Sequence, residues 1–124
     1  MPFSKDITWS SVEGKEFLRI DYRNVRDDSV ATKVTQQAYD VSIDRPDKSL
    51  RVLLVVNGGK ITPATMRSML KMGKGIQPKI KKSAVVGAVG MLSLLLRVYV
   101  SSTGSKIRFF TDESTALQYV LSDD

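Results

Sequence analysis

The sequence predicts an α/β protein, with a mixed, mostly parallel five-stranded sheet and four helices in the order ββαβαβαβα. Three observations predict it. β-branched runs alternate with stretches of helical periodicity from residue 28 onward. The run Leu50-Arg51-Val52-Leu53-Leu54-Val55-Val56 is too apolar to be half exposed, as expected of a central parallel strand. A chain of 124 residues, 42% of them hydrophobic, suffices for one core, so a single domain over residues 1–124 is expected.

The elements follow in order. Ile7-Thr8-Trp9-Ser10-Ser11-Val12 alternates apolar with polar, and Phe17-Leu18-Arg19-Ile20-Asp21-Tyr22 is rich in strand formers. With Glu13-Gly14-Lys15 between them, they read as an opening hairpin and an antiparallel edge. Val30, Val34, Ala38 and Val41 form one stripe of a helix over 28–43, capped by Asp28 and ended by Pro46. Asn57-Gly58-Gly59 closes the central strand. Thr62-Pro63 then supplies a cap and a first-turn proline for a second helix, with Met66, Met69 and Leu70 inward and Gly73 and Gly75 weakening its end. Ser83 to Val89 is the next strand. Leu92, Leu95, Leu96 and Tyr99 recur at helical spacing until Gly104. Lys106-Ile107-Arg108-Phe109-Phe110 is the last strand, and Thr111 caps a final helix whose first turn carries Asp112 and Glu113 against the macrodipole.

Only Arg97 is charged between Lys82 and Lys106, a pattern that must be weighed as a membrane span. Glycines, serines and the arginine interrupt it, and one arginine in a span costs roughly 2.5–3.5 kcal/mol, so a buried strand plus a buried helix is the expectation. The residues after Met1 lack an apolar core of signal-peptide length, which predicts a cytoplasmic protein.

Composition narrows the chemistry. There is no cysteine and no histidine, which removes disulfides, thiolate metal sites, the usual general base and the commonest metal ligand. No nucleophile–base pair can be assembled, and neither an enzyme nor a bound cofactor is expected. Asp21 beside Tyr22 and Arg23 is the one acidic grouping to inspect, and it reads as an ion pair at a strand end.

The charge is segregated. Residues 48 to 111 hold twelve basic side chains and no acidic one, whereas the rest holds seven basic against thirteen acidic. Lys71, Lys74, Lys79, Lys81 and Lys82 fall within twelve residues, and Lys71 and Lys74 share a helical face. They read either as a cationic surface for a protein partner or an anionic lipid, or as a solubilising rim. Base-reading arginines and interleaved aromatics are missing, so specific nucleic-acid recognition is not expected. Gly87-Ala88-Val89-Gly90 reads as a tight strand-to-helix turn or a bare-amide anion nest. Met66, Met69, Met72 and Met91, with leucines of the third helix, read as an adaptable core or the wall of an apolar pocket. The apolar face of that helix also allows pairing of copies.

Three segments carry a family resemblance: Ile20-Asp21-Tyr22-Arg23-Asn24, Lys82-Ser83-Ala84-Val85-Val86-Gly87 and Phe109-Phe110-Thr111-Asp112-Glu113. With the order of elements, they make the chain from about Glu16 to Leu121 resemble the bacterial STAS-like group. That group is related in fold to anti-sigma-factor antagonists and, more distantly, to CRAL-TRIO lipid-transfer domains. The resemblance implies a non-catalytic regulatory module that docks on a protein partner, often under control of phosphorylation. The family's phosphorylatable serine stands in an Asp-Ser-x-Gly context, whereas this chain has Asn57-Gly58-Gly59-Lys60-Ile61-Thr62-Pro63-Ala64-Thr65. Thr62 and Thr65 are the hydroxyls nearest to that position, and the simpler reading of Thr62 is an ordinary helix cap. The kinship to lipid-transfer folds suggests an alternative: a carrier or sensor of an anionic lipid, with its headgroup at the lysines and its chain among Met66, Met69 and Leu95.

Overall fold

Sequential strands are also neighbours in space: the sheet order is β1-β2-β3-β4-β5. The computed structural model describes residues 6–58, 62–104 and 107–123, except for some helical side chains, those of Met66, Met69, Leu70, Met91, Leu92, Leu95 and Tyr99 among them. Lys60 and Lys106 also lie outside the described residues. Strands β1 (Ile7–Val12) and β2 (Lys15–Asp21) pair antiparallel. Strands β3 (Leu50–Val55), β4 (Ile80–Val86) and β5 (Arg108–Phe110) continue from β2 in parallel. The helices are α1 (Asp28–Ser42), α2 (Pro63–Ile76), α3 (Gly90–Thr103) and α4 (Glu113–Leu121), and a 3-10 turn at Gln77–Lys79 leads from α2 into β4. The α/β class, the five strands with one antiparallel pair, and the four helices agree with the sequence reading.

Right-handed crossovers between successive parallel neighbours put their connecting helices on one face of the sheet. Ala31 and Val34 of α1, Ile76 of α2 and Leu96 of α3 accordingly pack with Leu18, Ile20, Val52 and Val85. Helix α4, which follows the last strand, covers the opposite face, where Ala116 and Val120 meet Phe17, Leu53, Val55, Ala84 and Val86. The two-residue period of a strand sorts alternate residues between these layers.

Several element ends differ from expectation by a residue or two, and three of the differences have a clear physical cause. Helix α1 is capped by Asp27 in place of Asp28: Asp27 is extended and accepts from the Val30 N–H at 3.0 Å. Two adjacent aspartates are equal caps by type, and Asp28 is engaged by α2 instead. Helix α4 is capped by Asp112 in place of Thr111, with Asp112 accepting from the Thr115 N–H at 2.9 Å, in line with the higher rank of aspartate as a cap. Strand β4 begins at Ile80 and stops at Val86, because Gly87 turns the chain at φ +82°. A Cβ on Gly87 would lie 2.4 Å from the Asn57 Cβ, so glycine is required for the ends of β3 and β4 to approach. The weakly charged stretch after Lys82 divides between β4 and α3, and among the described residues no helix is long and apolar enough to cross a membrane.

Candidate anion-binding site

On the α4 side of the sheet, the alternating positions of β3, β4 and β5 are Leu53 and Val55, Ala84 and Val86, and Phe110. Two residues upstream of each set, the same alternation presents Arg51, Lys82 and Arg108 to that face. Arg51 pairs in register with Lys82, and Arg108 pairs with Ala84, one step diagonal to Lys82. Three cations therefore line adjacent strands beside the apolar patch that α4 covers. Like charges side by side repel, so the column persists only with groups that answer it.

The first answer comes from the end of α4. Arg51, whose side chain is 8% exposed, donates through Nη1 to the Val120 carbonyl at 2.7 Å and the Ser122 carbonyl at 2.8 Å, and through Nη2 to Asp123 Oδ1 at 2.8 Å. Lys15 Nζ donates to the Leu121 carbonyl at 2.9 Å and to Asp123 Oδ2 at 2.8 Å. Carbonyls at a helix C-terminus lack intrahelical donors, so both cations complete the helix as well as pair with the carboxylate. The Lys15 hydrogen bond, and then that of Arg51, hold the Asp123 carboxyl at about 2, below the ordinary aspartate value of 3.8. Lys81 is the extra residue of a bulge, since Leu50 pairs with Ile80 and Arg51 with Lys82, and its Nζ lies 3.8 Å from Asp123 Oδ1.

The second answer is aromatic. Lys82 Nζ lies 4.5 Å and Arg108 Cζ 4.9 Å from the centre of the Tyr119 ring, which itself leans on Phe110 with centroids 5.7 Å apart. Lys82 also donates to Ser122 Oγ at 3.1 Å. Beside the ring is a cleft of about 240 Å³ lined by Gln77, Ile80, Lys81, Lys82, Ser83, Arg108 and Tyr119. Its charged lining is wholly cationic. Among the described residues no carboxylate pairs with Arg108, and Gln77 Oε1 is buried without a hydrogen-bond partner. A neighbouring groove of about 380 Å³, lined by Lys15, Glu16, Arg45, Lys48, Arg51 and Lys81 among others, shares Lys81 with the cleft. Guanidinium and ammonium donors converging beside an aromatic ring can hold an oxyanion.

The lysines singled out in the sequence divide between layers. Lys81 and Lys82 line the cleft, Lys79 faces Asp47 at 3.5 Å, and Lys71 and Lys74 are exposed on α2, which packs against the other face. Sequence reading missed Arg51, Arg108, Tyr119 and Gln77 as members. The signal was a basic residue two places before an apolar one in three successive strands.

The remaining candidates have other surroundings. Thr62 caps α2, and both Thr62 and Thr65 donate their hydroxyls to Asp28 Oδ1, Thr65 at 2.8 Å while only 1% exposed. The Thr62 hydrogen bond and then that of Thr65 lower the Asp28 carboxyl. The side chains of Met66, Met69 and Leu95 lie outside the described ones. Between the sheet and α1 and α2 is an apolar cavity of about 100 Å³, with Leu18, Ile20, Ala38, Met72 and Ile76 in its wall. Asp21 accepts from Arg23 Nη2 at 2.8 Å, and Arg19 grips Glu113 at 2.7 and 3.0 Å, an ion network tying β2 to α4. The Gly87 N–H donates to the Phe110 carbonyl at 3.0 Å, so the first amide of that turn serves the sheet.

Comparison of the chain with protein-family models, with curated proteins and with solved structures finds no match.

Proposed function

We propose that the chain is a non-catalytic binding module of STAS-like type that docks an acidic segment of a protein partner along the basic edge where β3, β4 and β5 begin. One observation carries the reading: Arg51, Lys82 and Arg108 stand in a column across three adjacent strands, two residues before the apolar positions that α4 covers. The chain's own Ser122 and Asp123 illustrate what the edge accepts, namely a hydroxyl and a carboxylate. Phosphorylation of Thr62 or Thr65 has no part in this reading, because a phosphate on either hydroxyl would meet the Asp28 carboxylate that now accepts from it.

The test is capture of a partner from cell extract by the immobilised protein, read by mass spectrometry. Lys81→Glu with Lys82→Glu is expected to lose the partner, and Lys71→Glu with Lys74→Glu to keep it. Equal capture by both double variants removes the basic edge from the account. A second reading, a carrier or sensor of an anionic lipid, draws on the apolar cavity between the sheet, α1 and α2. That cavity is about 100 Å³, against roughly 300–1,000 Å³ for small-molecule sites, so an acyl chain enters only if the helices part. A lipid adduct in native mass spectra of protein taken from cells is the result that would favour it.

A further inference from the structure

We propose that the outer face of α2 and α3 rests on an anionic membrane surface, with Arg67, Lys71 and Lys74 on lipid phosphates and Leu94 and Val98 among the acyl chains. This face is on the layer opposite the basic edge and takes no lipid out of the bilayer, so the proposal stands apart from both readings above.

Helical spacing builds the face. Thr65 and Ile76 are buried and Met72 lines the apolar cavity, which fixes the inward side of α2. At about 100° per residue, Arg67, Lys71 and Lys74 fall on the opposite side, and all three are exposed. Leu96 anchors α3 in the core, which turns Leu94 and Val98 outward, 59% and 55% exposed. Val89, at the N-cap of the same helix, is 75% exposed. Of the described residues, these three are the most exposed large apolar ones. Helices α2 and α3 pack side by side on one layer, so a basic row runs next to an apolar row.

The chain answers neither row. Residues 48–111 contain no aspartate or glutamate, and among the described residues no carboxylate pairs with Arg67, Lys71, Lys74 or Arg97. Arg97, exposed beside Leu94 and Val98, lies 5.0 Å from the centre of the Phe109 ring. At the basic edge, by contrast, Asp123 faces Lys15, Arg51 and Lys81. Helix α1, on the other side of α2, exposes Asp28 and Asp40, which limits the contact to α2 and α3.

Apolar side chains beside unpaired cations match a bilayer interface, where acyl chains receive one row and anionic headgroups the other. A second copy fits less well. It would bring unpaired cations toward their own images, and three apolar side chains fall well short of the roughly 800 Å² per partner of a stable interface. A protein partner would have to cover lysines, which are depleted at protein interfaces.

The test is sedimentation of the full chain with vesicles of phosphatidylcholine alone and of equal parts phosphatidylcholine and phosphatidylglycerol. Binding is expected with the anionic vesicles only, weakened by added salt. Lys71→Ala and Lys74→Ala should each weaken it about fivefold, the contribution of one cation near the surface. Leu94→Ser with Val98→Ser, at exposed positions that leave the core intact, should weaken it at unchanged charge, and Lys81→Ala with Lys82→Ala should change it less than either. The chain has no cysteine, so Leu94→Cys can carry a single environment-sensitive dye. Its emission should shift to the blue on anionic vesicles, and that of the same dye at Ser11→Cys, exposed on β1, should not. Failure to bind anionic vesicles overturns the proposal, as does an unmoved dye at position 94 or binding that depends on Lys81 and Lys82 but not on Lys71 and Lys74. A dimer that needs Leu94 and Val98, in a chain that ignores vesicles, gives the face to a second copy instead. Partner capture lost with Lys81→Glu and Lys82→Glu bears on the basic edge alone, so either reading can fall without the other.

Discussion

Gly87 and Asp123 show how much one residue can hold. At Gly87 the backbone is left-handed and an added methyl would overlap the Asn57 Cβ, a side-chain root that cannot rotate away. Gly87→Ala is therefore expected to destabilise the fold by about 2–4 kcal/mol in urea unfolding, combining the positive-φ penalty with overpacking. A loss below about 1 kcal/mol would show that β3 and β4 separate easily at this end. Asp123 acts through charge. Its carboxyl is held at about 2 when folded and returns to an ordinary 3.8 when unfolded, so between these values the unfolded chain binds more protons. Its stabilising contribution is complete above the ordinary value and is lost as pH falls toward 2. The difference in urea midpoint between the native chain and Asp123→Asn should accordingly be largest near neutral pH and close on acidification. Asp21, Asp28, Asp112 and Glu113 are shifted in the same direction, so total stability also declines with acid, and only the comparison with the variant isolates Asp123.

Elements meet through a few polar contacts that periodicity does not reveal. Asp28, in the first turn of α1, accepts from the hydroxyls of Thr62 and Thr65 at the start of α2, so one carboxylate ties two helix N-termini together. Thr65→Val keeps the shape of a buried side chain and removes its bond, with an expected loss of about 1 kcal/mol in chemical denaturation. Thr62→Ala should cost about as much through its cap. If Asp28 is the common partner, the losses from Asp28→Asn and Thr65→Val should fall short of additive, and strict additivity would mean that the bridge contributes nothing. The body of each element was legible because apolar spacing encodes it: α1 was read as 28–43 and runs Asp28–Ser42, and β3 was read as Leu50 to Val56 and runs Leu50–Val55. The ends were less legible. Asp27 and Asp28 are identical in type, and only the contact with α2 separates them. Lys81 and Lys82 belong to β4 although their composition suggests a loop, because pairing with β3 carries them into the sheet.

For the whole molecule, the unequal layers decide what each cation does. Three helices cover one face and a single short helix the other, and it is at the thinly covered face that Arg51, Lys82 and Arg108 stand. The sequence displayed the segregated charge of residues 48–111 but grouped its lysines by proximity along the chain. Sheet register and the bulge at Lys81 regroup them across three strands, which no local pattern specifies. The regrouped cations have separable roles, and that separation is testable. Arg51 is buried and holds two terminal carbonyls of α4 together with Asp123, so Arg51→Met leaves those acceptors unanswered and should cost about 2–4 kcal/mol of stability. Arg51→Lys should recover only part of it, because one ammonium cannot span acceptors arranged for a fork. Arg108 is exposed and rests on a ring, so Arg108→Met should change stability by no more than about 0.5 kcal/mol while weakening capture of the partner by the basic edge. Urea unfolding and partner capture, run on the same variants, give the two readouts. If Arg108→Met unfolds the protein as readily as Arg51→Met, the column is scaffolding along its whole length, and the cleft has no spare charge to offer a ligand.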